Sequence, residues 1–289
     1  MISERVKKEV IRFQKSEITE FVLYTKLAKA TKDSKNKRVL KRLAREEKEH
    51  YNFLKKYSNI EVKPNYFKVA LYYFLSILFG LTFAIKLIES RERKAQLNYK
   101  DLAKSIPAAR KIIKAEEIHE KEIGRMIDEK GLHYTGSIVL GLNDAIVEFT
   151  GSLVGFALAL QKTSIIAGVG LISGVAAALS MGASEYLSIK EEYTKKNPVT
   201  AGIYTGLAYF VTVFFLILPF LLFTNPFISV GVTLLNAVII IALFNFYVAV
   251  VKELSFSDKF FSMFILSFSV AAVSFIIGLF IRSLFNINI

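Results

Sequence analysis

The 289-residue chain contains no cysteine. It can form no disulfide framework, no thiolate metal site and no iron–sulfur cluster. A Cys-x-x-Cys electron-transfer module is excluded for the same reason. Tryptophan is also absent, and histidine occurs only three times, at positions 50, 119 and 133. Apolar Phe, Ile, Leu and Val are abundant, and the net charge is +13. A basic balance can serve nucleic acid, but long apolar runs make juxtamembrane Lys and Arg the simpler source. No nucleic-acid partner is expected. The first residues, Met-Ile-Ser-Glu-Arg-Val-Lys-Lys, are charged from the outset, so no signal peptide is expected. The length allows two domains, placed at residues 1–135 and 136–289.

The first half reads as four helices. Ser3 is a candidate N-cap for a helix to Ala30, with Ile11, Ile18, Phe21, Val22 and Leu27 near one stripe. Asp33-Ser34-Lys35-Asn36 reads as a turn, and Arg38 to Tyr57 as a second helix. A third is expected from about Tyr66 to Lys104. Pro107 suits the first turn of a fourth, which runs to about Lys130 and stops at Gly131.

Glu47-x-x-His50 lies on the second helix and Glu116-x-x-His119 on the fourth. Glu and His three apart share a helix side, so both can reach one metal. Two of the three histidines fall in these motifs. The first and third helices supply matching acids, Glu17 and Glu92. Tyr24, Leu27 and Ala28 recur as Tyr99, Leu102 and Ala103 at the same offset of 75 residues. Glu20 and Glu89, one turn away, are candidate extra ligands. Glu46, Glu49, Glu117 and Glu120 read as solvated faces, and His133 as an interface residue.

One Glu from each of two helices and Glu-x-x-His from the other two is the di-iron carboxylate plan of ferritin-like bundles. Over roughly residues 5–130 the chain resembles the rubrerythrin/ferritin-like family. The resemblance implies metal ligands Glu17, Glu47, His50, Glu92, Glu116 and His119, holding iron or manganese. Val69 to Ile88 is nearly unbroken apolar sequence and by length alone passes as a span. A crossing there would divide the six ligands between two sides. It is therefore read as the third bundle helix, resting on a partner subunit or on the membrane surface.

Five apolar segments follow, at about Ile138–Leu160, Ile165–Ser188, Thr200–Phe223, Ile228–Val251 and Phe260–Ile281. The loops Lys190–Asn197 and Lys252–Lys259 carry most of the connecting charge. The positive-inside rule places them and the first half in the cytoplasm, and five spans leave the C-terminus outside. Asp144 and Glu148 share a face of the first span. Carboxylates at membrane depth cost about 2.5–3.5 kcal/mol on insertion scales, so they mark a cation or proton path. Met181 and Glu185 share a face of the second span, and a thioether beside carboxylates suits a transition metal. Gly151, Gly155, Gly170, Gly174 and Gly182 would let these helices approach closely.

Gly141-Leu-Asn-Asp144 and Ser180-Met-Gly182 through Glu185-Tyr-Leu-Ser188 resemble the vacuolar iron transporter family, the Ccc1-like proteins. Its members move Fe2+, and often Mn2+, out of the cytosol by proton exchange, as dimers. Asp144 and Met181 fall on that family's path positions. The Glu-rich insert of plant-type members is missing between the second and third spans, and position 173 is Ser where some members carry an acid. A rubrerythrin-like domain fused to such a transporter is a known arrangement, which this chain resembles.

The expectation is thus all-α: a ferritin-like four-helix bundle followed by a five-helix transmembrane domain. The expected function is export of Fe2+, or Mn2+, from the cytoplasm by proton antiport across the cell membrane. Asp144, Glu148, Met181 and Glu185 form the expected path, and the expected assembly is a homodimer in the lipid bilayer. The alternative is a membrane-anchored ferroxidase or peroxidase of the ferritin-like class.

Overall fold

The computed structural model describes the backbone of residues 3–126, 134–192, 194 and 196–285, and their side chains except 89, 91–101, 117, 120–126 and 285. The described chain is all-α, without strands. It divides into two compact units, Met1–Glu129 with Val250–Glu253, and Lys130–Ala249 with Leu254–Ile289.

In the first unit, α1 (Glu4–Ala30) begins where the Ser3 side chain accepts from the Val6 amide. Helix α2 (Ser34–Ser58) starts inside the stretch read as a turn. Asp33 caps it by accepting from Asn36 N, so residues 34–36 form the first helical turn. Asn59 ends it in the left-handed region, φ 55°. The stripe expected on α1 is corrected. Its buried side carries Val10, Phe13, Gln14, Glu17, Ile18, Tyr24, Leu27 and Ala28, whereas Ile11, Phe21 and Val22 are only half-buried. Hydrophobicity alone misleads there because the inward face includes polar residues. Gln14 is fully buried, accepts from Ser58 Oγ at 2.7 Å and donates to the Ile60 carbonyl at 2.8 Å. These bonds fix the connection that leaves α2.

The long third helix is also corrected, since it is two helices. Helix α3 (Tyr66–Phe79) and α4 (Leu81–Ser105) meet at Gly80, with φ 91° and ψ 160°. That conformation is open to glycine and strained for any other residue. Helix α3 has 14 residues, about 21 Å, too short for a hydrocarbon core of about 30 Å. Pro107–Ala109 forms a single 3-10 turn, and α5 follows over Arg110–Met126. Residues 127–133, including His133 and the expected stop at Gly131, lie outside the described residues.

Helices α1, α2, α4 and α5 form a bundle in which α1 packs on α2 and α4, and α5 on α2 and α4. One end is closed by Val10, Phe13, Leu54, Leu102, Ile106, Ala109 and Ile112. The repeat is visible in packing: Leu27 and Ala28 are buried, as are Leu102 and Ala103.

Among its described residues, the second unit holds five helices long and apolar enough to cross a membrane. They are α6 (Thr135–Leu160), α7 (Thr163–Glu191), α8 (Pro198–Leu222), α9 (Pro226–Lys252) and α10 (Phe256–Phe285). Helix α6 packs on α8 and α10, and α7 on α8. Backbones meet at small residues: a Cβ on Gly182 would come 2.9 Å from the Gly202 carbonyl. Pro219 lies inside α8 and cannot donate to the Phe215 carbonyl. Asn236 of α9 donates to that carbonyl at 3.1 Å, and Thr233 to the neighbouring Leu216 carbonyl at 2.9 Å. Backbone groups freed in an apolar span need such partners.

Candidate metal centre and polar ladder

In the bundle, Glu17 from α1, Glu47 and His50 from α2 and Glu116 from α5 offer ligand atoms all within 4.8 Å of one another. His50 Nδ1 lies 3.1 Å from Glu116 Oε1, 3.4 Å from Glu17 Oε2 and 3.5 Å from Glu47 Oε2. His119 Nδ1 lies 3.3 Å from Glu47 Oε1 and 3.5 Å from Glu116 Oε2. Glu47 and Glu116 therefore each turn one oxygen toward His50 and the other toward His119. A carboxylate held between two imidazoles in this way can bridge two cations.

All five side chains are buried, with relative exposures between 1% and 8%. Glu47 Oε2, His50 Nδ1 and His119 Nδ1 are buried without a hydrogen bond. Buried polar atoms are normally satisfied, and orphans aimed at one point form a donor set. Oxygen and imidazole donors together fit iron, manganese or zinc.

The electrostatics show how tightly the cluster is coupled. Burial opposes charge on His119, but Glu116 and Glu47 outweigh it and raise its pKa to about 11. Burial likewise opposes charge on His50, yet Glu116, Glu17 and Glu47 hold it well above its ordinary value. Burial pushes Glu116 up, while His119 and His50 pull it down to about 2. Burial, with Glu47 beside it, raises Glu17 well above the usual carboxylate range. Protons thus occupy the positions a cation would take.

Five of the six expected ligands are brought together. The side chains of Glu92 and Glu89 lie outside the described residues. Glu20 is buried and accepts from Ser16 Oγ at 2.8 Å, outside the converging group. Glu46 is a correction to the solvated-face expectation: its Oε2 lies 2.5 Å from His119 Nε2. A carboxylate on the outer nitrogen fixes the ring so that Nδ1 faces the centre. The signal was its place beside ligand Glu47, which spacing alone does not distinguish from solvated acids.

In the second unit, Glu185 is buried and accepts from Ser137 Oγ at 2.6 Å, and Thr205 Oγ1 donates to the Ser137 carbonyl at 3.0 Å. Glu148 accepts from the Tyr209 hydroxyl at 2.6 Å, and Tyr209 is fully buried. Met181 packs on the core that contains Ala145 and Ala178. The four residues expected to line a path do not form one cage. Among the described residues, no group of three acids or histidines in the spans gathers as the bundle cluster does.

The helix register instead staggers their positions as a ladder along the two axes. Helices α6 and α7 run antiparallel, and the Ser137–Glu185 bond with Gly174 against Phe149 sets their register. Met181 then lies about level with Gly141. By that register the positions of Glu185, Met181, Asp144 and Glu148 succeed one another along the helix axes in steps of three or four residues, about 4.5–6 Å of rise. The Asn143 Oδ1 beside Asp144 is buried without a hydrogen bond. Tyr209 and Ser137 were missed by sequence reasoning because their partners lie 61 and 48 residues away.

Residues 135–195 match the VIT family model, the vacuolar iron transporters. The match covers α6 and α7, which carry all four ladder residues. No curated protein and no solved structure matches the chain.

Proposed function

We propose that the chain is a membrane transporter that carries Fe2+, or Mn2+, out of the cytoplasm in exchange for protons. The observation that carries this reading is the family match over the two helices that hold Asp144, Glu148, Met181 and Glu185. The ladder gives a cation successive donors, each about one turn from the next, and a carboxylate that releases the ion can take up a proton. The five long apolar helices support a multi-pass protein. The charged loops favour an N-terminal unit in the cytoplasm and a C-terminus outside, and in this reading the protein works in the cell membrane as a homodimer.

The bundle captures or senses the same metal. Glu17, Glu47, His50, Glu116 and His119 would hold it, with Glu92 as the sixth ligand the repeat supplies. The paired orientation of Glu47 and Glu116 favours two cations over one. The test is flux in proteoliposomes loaded with Fe2+, Mn2+ or Zn2+, with and without a pH gradient. Asp144→Ala should abolish Fe2+ flux and its pH dependence, and flux equal to the parent overturns the proposed path.

A second reading rests on the same bundle. A buried carboxylate–histidine site that binds two Fe2+ ions can oxidise them with oxygen. Oxygen consumption on adding Fe2+ to the full chain, lost in Glu47→Ala, would favour a ferroxidase with an attached transporter.

A further inference from the structure

We propose that α3 lies in the headgroup–acyl boundary of the bilayer and seats the N-terminal unit on the lipid surface. Helix α3 buries only Val69 and Tyr72. Its opposite side is exposed and apolar. Phe67 is 77% exposed, Leu71 40%, Phe74 58% and Leu78 59%, at spacings of four, three and four residues. Ile77, at 69%, lies on the same side. No charged residue interrupts this face, and on a protein surface so continuous an apolar stripe marks a contact.

Lipid is the occupant that fits. The described residues include five helices apolar enough to cross a membrane, and the first begins nine residues after the end of α5. A bilayer is therefore within reach of every copy. Helix α3 is too short to cross it but long enough to lie along it. Cations flank both long edges of the stripe. Lys68 is exposed at one edge, and at the other Lys26 of α1 sits 4.1 Å from the centroid of the Tyr73 ring. Lysines beside an apolar stripe place their ammonium groups at phosphate level while their stems follow the apolar surface. A second copy of the chain fits less well, because the stripe of Phe67, Leu71, Phe74 and Leu78 offers no donor, acceptor or charge to fix a self-complementary register. The proposal requires the spans to be in a bilayer and is independent of the ion transported.

The absence of native cysteine allows a direct test. Full-length Phe74→Cys and, separately, Lys41→Cys on the exposed side of α2 are labelled with an environment-sensitive fluorophore. Both are reconstituted into phosphatidylcholine vesicles with about 30% phosphatidylglycerol. The label at position 74 should be quenched by 5-doxyl lipid at least about threefold more than the label at 41, and less by iodide. Stronger quenching by 12-doxyl than by 5-doxyl lipid would place α3 deep in the core and overturn the proposal. Equal behaviour at the two positions would overturn it too, as would a label shielded from iodide and lipid alike but cross-linking between copies. Phe67→Cys provides the same reading should Phe74→Cys fail to fold by circular dichroism.

Discussion

His119 turns its Nε2 to Glu46 at 2.5 Å and its Nδ1 to Glu47 at 3.3 Å, so neighbouring acids of one helix hold both sides of one ring. Only Glu47 faces the centre. Glu46→Ala should therefore leave the donor set complete but release the ring, lowering metal affinity about 10- to 100-fold. Calorimetric titration with Fe2+ under anaerobic conditions, or with Mn2+, measures this. Glu49→Ala, an exposed neighbour on α2, is the control and should bind as the parent does.

The protons held by the cluster give a pH signature. His119 is raised to about 11, so its contribution to folding is full below about pH 6.5 and lost as pH rises toward 11; His50 is raised as well and acts in the same direction. Glu116 is lowered to about 2, so its contribution is present above about pH 4.5 and lost as pH falls toward 2. Thermal unfolding of the metal-free chain should show these two limits. Metal must displace the imidazole protons, so binding at pH 7 should release protons and weaken as pH falls. A binding constant independent of pH between about 6 and 8 would contradict the displacement.

Tyr209→Phe removes the hydroxyl that donates to Glu148 at 2.6 Å and leaves the ring in place. Leaving the Glu148 carboxyl without this donor should cost about 1–3 kcal/mol of stability. Fe2+ flux in proteoliposomes should fall, and its pH profile should shift, because Glu148 has lost its positioning partner. Ser137→Ala makes the corresponding change at Glu185.

Asn236→Leu leaves the Phe215 carbonyl without the donor that α9 supplies beside Pro219. The cost should be about 0.6–1.7 kcal/mol, the range for hydrogen bonds between membrane helices. In Pro219→Ala the helix can supply its own amide, so Asn236→Leu should cost less in that background. A double-mutant cycle measured by unfolding in mixed micelles reads the difference.

Gly80→Ala should destabilise the junction of α3 and α4 by about 1–3 kcal/mol, since φ 91° with ψ 160° is unfavourable for a side chain. Thermal unfolding should register the loss, and Phe79→Ala, still helical, should lack this backbone effect.

Much of this architecture was legible in the sequence because it rests on periodicity. The duplicated Glu-x-x-His motifs point inward because residues three apart share a helix side. The five spans announce themselves by length and composition. What was hidden depends on conformation or on distant partners. Nothing in an apolar run reveals that Gly80 takes a positive φ and divides it. Glu46 and Glu49 look alike until His119 arrives from 73 residues away. The α1 stripe was misplaced because Gln14 and Glu17, though polar, face inward to a partner and to the cluster. In the spans, the acids were visible but Tyr209 and Ser137 were not, since only the register of neighbouring helices brings them near.

The donors of the bundle centre come from chain positions as far apart as 17 and 119, yet converge within a few ångströms. An ion held there would act as a cross-link closing a loop of about 100 residues, stiffening the whole helical assembly. Metal supply would then be registered as mechanical firmness: a scarce ion would leave three helices loosely clasped, and an abundant one would lock them together.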